Sequence, residues 1–274
     1  MNTDTITKTA GTTTSDKILS KKNGAVGSLI FNNPEKPNAV SPEMSLAAAQ
    51  VLEDFAADSA IRVIVLSGAG DKAFVSGADI SKFEAGRATP EQREKWNQAS
   101  AQFRDLLRTI GKPTIAMIRG YCVGGGLGIA LNCDLRICAD GSQFGIPAAK
   151  LGIGYAAEAV GRLVNLVGPS AAKDILYTGR RMQAQEALRL GLVNYVVAPA
   201  ELEEFVANYA NTMAGNAPLS LIAAKRVVDE LMKDPEERDA ALCERVVSDC
   251  FGSKDYIEGR RAFMEKRRPA FTGK

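Results

Sequence analysis

"GYCVGGGLGIALNCDLRI" occupies residues 120–137, directly after the apolar run "TIAMI" at 114–118. Each glycine in regular structure costs about 0.5–1 kcal/mol against alanine. Three in a row between a strand-like run and an apolar helical stretch therefore need a reason. Close packing of helix on strand is one, and it needs no ligand. A ligand is another. The first N–H groups of a helix have no internal partner, and bare glycines let an oxygen approach them. That oxygen belongs to a phosphate or to a carbonyl becoming an oxyanion. The phosphate reading is the weaker one, because "GGGLG" matches neither G-x-G-x-x-G nor a Walker A loop.

Working outward, residues 18–31, "ILSKKNGAVGSLIF", alternate around an Asn-Gly and predict a hairpin. Ser41-Pro42 opens a helix whose apolar positions include Met44, Val51 and Phe55. "IRVIVLSG" (61–68) is a strand running into the loop "GAGDKAFVSGADI". A polar helix spans about 90–109, and strands follow at 113–120, 133–140 and 143–147. The layout of strand, glycine loop, helix and strand thus occurs twice. The apolar runs are continuous, as in strands buried on both faces. Beyond Tyr155 helices dominate: 156–166, 169–178, 183–190, 200–214, 218–233 and 236–249. One strand at 192–197 interrupts them, and a basic helix ends at Pro269. The organisation predicted is a disordered segment 1–16, an α/β core 17–199 and a helical region 200–274.

The composition excludes several chemistries. The 274 residues contain no histidine, which removes Ser-His-Asp and Cys-His nucleophile systems and His general bases. The 34 basic and 32 acidic residues are too balanced for a nucleic-acid footprint. Five cysteines, none in C-x-x-C spacing, read as reduced thiols rather than a zinc site. No apolar run approaches the ~18 residues of a membrane span. The polar N-terminus lacks the apolar core of a secretory signal. A cytoplasmic protein with no membrane and no nucleic-acid partner is expected.

The loop "AFVSGADI" (73–80) also brings a strand to a glycine before a helix start. Two such loops can each offer one N–H to a single oxygen. At this point the chain resembles the crotonase (enoyl-CoA hydratase/isomerase) family. "KAFVSGADI", "GYCVGGGLGIALNCDLRICAD", "QFGIPAAKLGI", "GLVNYVV" and "AFMEKRRPAF" carry the resemblance, in order, across about residues 18–272.

The resemblance implies an α/β fold, the ClpP/crotonase-like spiral of ββα units, with a C-terminal helical trimerisation region. It implies a homotrimer or a dimer of trimers. The substrate implied is an acyl-CoA thioester, with no cofactor beyond its CoA moiety. The chain would then be a lyase, breaking a C–O or C–C bond in fatty acid metabolism. The oxyanion donors carried over are the backbone N–H groups of Ala78 and Gly125. Ser76, Asp79 and Ile80 flank the first donor on the CoA-binding side. The loop around Lys36 and Ala39 would line the adenine, and Phe263 and Lys266 of the last helix would lie against it. A solvated helix end is the alternative for "EKRRP".

Hydratases of the family carry two glutamates at positions that here hold Gly128 and Ala148. Acid–base groups contribute about 10²–10⁴-fold each. Losing both removes about 10⁴–10⁸, or roughly 5–11 kcal/mol of barrier stabilisation. Standard hydration is therefore disfavoured. Decarboxylation of a malonyl-type thioester needs the oxyanion hole but no strong base, because CO₂ leaves and electrons flow into the thioester carbonyl. "LGIGY" (151–155) resembles the methylmalonyl-CoA decarboxylase branch, whose tyrosine falls at Tyr155 and contacts the carboxylate. That branch has a histidine where this chain has Ala78. Tyr155 as a rim or packing residue is the alternative. Glu158 is a second acid–base candidate, although a carboxylate in a first helical turn is favoured by the dipole alone. Asp79 reads as a helix-start residue. A non-catalytic acyl-CoA-binding protein is the competing class.

Overall fold

The computed structural model describes residues 16–79 and 89–274, without the side chain of residue 93. Its organising feature is that the strands between residues 63 and 145 alternate between two sheets. Strands β1 (Ile18–Asn23) and β2 (Val26–Phe31) form the expected hairpin, closed by the two-residue turn Gly24-Ala25, with Gly24 at φ +54°. Strands β3 (Val63–Gly68), β5 (Thr114–Ile118), β7 (Leu135–Ala139) and β10 (Tyr195–Val197) continue this sheet in parallel, in the order β1-β2-β3-β5-β7-β10. Strands β4 (Ala73–Val75), β6 (Tyr121–Val123), β8 (Gln143–Gly145) and β9 (Met182–Gln183) form the second sheet, in the order β4-β6-β8-β9. Each pair β3/β4, β5/β6 and β7/β8 crosses from the first sheet to the second.

The described helices are α1 (Pro42–Ala57), α2 (Pro90–Thr109), α3 (Gly125–Ala130), α4 (Ala157–Thr178), α5 (Ala184–Arg189), α6 (Leu202–Ala214), α7 (Pro218–Leu231), α8 (Ala240–Phe251) and α9 (Lys254–Met264). A capping box fixes the start of α2, where Thr89 and Gln92 each accept the other's backbone N–H. Helix α4 kinks at Gly168, whose φ of +76° precedes Pro169.

The strands of the first sheet are buried on both faces. Ile64 and Leu66 face a large core shared with Met44, Phe55 and Phe103. Val63, Val65, Ile115 and Ile137 face the other way, against Leu202, Val206 and Ala210 of α6. The first helix after residue 200 therefore covers the sheet of the α/β core.

Two expectations need correcting or placing. The last helix stops at Met264, not Pro269. Lys266 takes the left-handed conformation (φ +54°), and the Arg267 N–H returns to the Ala262 carbonyl at 3.0 Å, a Schellman closure made without glycine. The expected disordered segment, except for residue 16, lies outside the described residues. Among the described residues no helix is long and apolar enough to cross a membrane. Cys122, Cys133 and Cys138 are buried free thiols, and burial pushes Cys133 and Cys138 up to about 12.

Candidate active site

Strands β4 and β6 are parallel neighbours, with Val75 beside Cys122. Their C-terminal ends therefore open on the same edge. Three residues beyond each of these partners stand Ala78 and Gly125. A Cβ placed on Gly125 would sit 3.7 Å from the Ala78 nitrogen. The neighbouring amides are used: Gly124 N–H donates to Gly145 O at 2.8 Å, and Asp79 N–H to Val40 O at 3.1 Å. Val40 pairs with Ala78 through an isolated bridge, and no acceptor among the described residues takes the Ala78 N–H. Gly125 is the first residue of α3, so its N–H has no partner within the helix. Two donors that no described residue engages thus come from loops lying side by side, at a helix start whose dipole favours negative charge.

The glycine triplet has a conformational and a packing role. Gly124 adopts φ +56°, a conformation that turns β6 into α3. Gly126 packs so closely that a Cβ would lie 2.0 Å from the Val75 carbonyl oxygen. Gly125, between them, supplies the donor.

Both loops border a cavity of about 610 Å³. Ser76, Gly77 and Ala78 line one side, Gly124, Gly125 and Gly128 another. Helix α2 contributes Trp96, Asn97, Ala101 and Arg104, and α4 contributes Glu158, Ala159 and Arg162. A Cβ on Gly128 would meet nothing within 4 Å, so this position opens onto free space. Ala148 lines the cavity from the 3-10 turn Pro147–Leu151. Neither residue can carry a proton.

The other predicted residues separate. Tyr155 is half-buried on the cavity wall; burial pushes its phenol upward, and the Arg104 charge partly opposes this. Glu158 lines the cavity but is exposed, 3.6 Å from Arg162 Nη2. Asp79 is buried at 4% and accepts both contacts of Lys36 Nζ, at 2.9 and 3.2 Å. That pair fastens the first donor loop to the 32–39 loop, and neither residue lines the cavity. Ala39 is buried beneath the same loop. Phe263, 82% exposed, and Lys266, also exposed, lie away from the cavity of their own chain. Ile80 falls outside the described residues.

Sequence reasoning missed Arg104, Arg162 and Asn132. Asn132 donates to the Gly128 carbonyl at 2.7 Å, bracing the turn beneath the open position. A faint signal exists for Arg104. Trp96, Ala99, Phe103 and Leu107 mark the buried stripe of α2, and residues 97, 101 and 104 form the stripe beside it.

Comparison with known proteins agrees with this architecture. The enoyl-CoA hydratase/isomerase family model matches residues 21–274. A short-chain-enoyl-CoA hydratase of Clostridium acetobutylicum is 34% identical over 253 residues, which cover 92% of this chain and 96% of that protein. A carnitinyl-CoA dehydratase of Escherichia coli is 34% identical over 266 residues, 95% of this chain and all of that protein. Among solved structures, an enoyl-CoA hydratase/carnithine racemase from Magnetospirillum magneticum superimposes with a TM-score of 0.89 at 36% identity, over 95% of this chain and 97% of that one. Spiral, paired donor loops and full-length similarity coincide, and the chain belongs to the enoyl-CoA hydratase/isomerase family.

Proposed function

We propose that the protein binds an acyl-CoA thioester with its carbonyl oxygen between the N–H groups of Ala78 and Gly125, and acts through the thioester enolate without a carboxylate base. One observation supports this most: two unengaged donors adjoin on a cavity whose two family acid–base positions hold Gly128 and Ala148. Decarboxylation of a malonyl-type thioester fits these groups. The C–C bond to the carboxylate breaks, its electrons enter the carbonyl, and the two N–H groups stabilise the enolate oxygen. A weak acid then protonates carbon, and the neutral phenol of Tyr155 is such an acid. Water addition has no comparable proton carrier at 128 or 148, so hydration is slow. The lyase class follows from the decarboxylation reading.

A second reading rests on the same two positions: an acyl-CoA-binding member of the family without turnover. The experiment is Gly125→Pro. Proline is accepted at a first helical position and removes the N–H. Loss of one oxyanion donor lowers turnover about 10²–10³-fold. Unchanged turnover in a folded variant removes the oxyanion assignment. Binding without turnover in the unsubstituted protein selects the second reading.

A further inference from the structure

Two arginines and two glutamates line the cavity, and the arginines keep guanidinium N–H groups that no described residue accepts. Arg104 lines it from α2, and no hydrogen bond or ion pair among the described residues engages its guanidinium. Glu94, on the same helix, lies ten residues away, about 15 Å along the axis, and accepts from Gln98 instead. Arg162 lines the cavity from α4. It reaches the exposed Glu158 through Nη2, at 3.6 Å, while its Nε is buried with no acceptor among the described residues. An unmet buried donor on a charged group is costly, and native structures rarely leave one without purpose. Tyr155 adds a neutral phenol O–H to the same wall.

These groups share a preference. A guanidinium fork matches a carboxylate's two oxygens, and a phenol donates to one of them. Resting on the acyl-CoA reading, we infer that Arg104, with Tyr155 and Arg162, forms a subsite for a carboxylate carried on the acyl group. The substrate class is then a dicarboxylic acyl-CoA rather than a plain fatty acyl-CoA. The oxyanion donors take the thioester end of the acyl group and the arginines its other end, within one cavity. In a malonyl-type acyl group the subsite orients the carboxylate that leaves as CO₂, and in a longer diacid it holds a carboxylate that stays.

Calorimetry with matched pairs tests this: malonyl- against propionyl-CoA, succinyl- against butyryl-CoA, glutaryl- against pentanoyl-CoA, with free CoA as reference. The unsubstituted protein is expected to bind at least one dicarboxylic member about 10- to 100-fold tighter than its partner. Arg104→Met removes that preference and leaves the monocarboxylic thioesters and free CoA unchanged. Arg104→Lys, which keeps charge but loses the fork, falls between. Equal affinities within every pair for the unsubstituted protein overturn the inference and leave the acyl-CoA reading standing. Arg104→Met weakening free CoA as much as the thioesters also overturns it, because the guanidinium then serves a CoA phosphate. Binding of no thioester at all overturns both. The comparison within pairs needs no variant, so misfolding of Arg104→Met does not shield the inference.

Discussion

The Ala78 nitrogen lies 3.7 Å from the point where a Cβ on Gly125 would stand, although 47 positions separate the two residues. The register of two three-residue strands produces this. With Val75 beside Cys122, equal steps out of β4 and β6 bring Ala78 and Gly125 side by side. The site therefore depends on backbone placement, and its weak points are glycines rather than charged side chains.

Substitutions at Gly126 and Gly128 should move stability in opposite directions. A methyl on Gly126 collides with the Val75 carbonyl, so Gly126→Ala loses about 3 kcal/mol. Gly128 faces open space in a helix interior, so Gly128→Ala gains about 0.5–1 kcal/mol. Urea denaturation of both variants checks the pair of signs.

The open space at Gly128 also allows a carboxylate to be installed. Gly128→Glu combined with Ala148→Glu should raise hydration of crotonyl-CoA by about 10²-fold or more over the unsubstituted protein. The measurement is loss of the enoyl thioester's ultraviolet absorbance. An unchanged rate would mean that the missing carboxylates are not what limits hydration.

Burial holds the Tyr155 phenol neutral beyond the ordinary tyrosine range, which the nearby Arg104 charge only partly offsets. Turnover that uses this O–H should show no inflection from it between about pH 6 and 9. Tyr155→Phe should lower turnover of a carboxylated thioester about tenfold with folding intact. A pH–rate profile of both proteins reads this.

The C-terminal tail carries its own acid sensitivity. Glu258 accepts from Arg267, Arg261 and the Ala270 N–H, and these bonds lower its carboxyl from 4.5 to about 2. A depressed carboxyl stabilises the fold fully above its unfolded value and loses that contribution as pH falls toward its folded one. The thermal-stability gap between the unsubstituted protein and Glu258→Gln should therefore close between about pH 4.5 and 2. A gap that stays constant over that range contradicts this assignment.

Where the sequence carried a local chemical signal, it was legible. Helix α2 was placed over about 90–109, and the break in α4 between 166 and 169. Strand β6 was not legible, because three residues beside a glycine triplet carry no period. The end of α9 was hidden because Lys266, not glycine, takes the left-handed turn. Within the site, the paired glycine loops pointed to two backbone donors, and the family resemblance assigned them to Ala78 and Gly125. Arg104 could not, because a polar residue facing a cavity looks the same in sequence as one facing water. Lys36 and Asp79, expected beside the CoA, form an ion pair that fastens two loops together.

The most direct test is to incubate the protein with crotonyl-CoA and methylmalonyl-CoA and read the product masses. Loss of CO₂ from methylmalonyl-CoA, with little or no water gained by crotonyl-CoA, is the predicted result for an oxyanion hole working without its glutamates. Rapid hydration of crotonyl-CoA would contradict it, because other groups would then be doing the work of the two missing carboxylates.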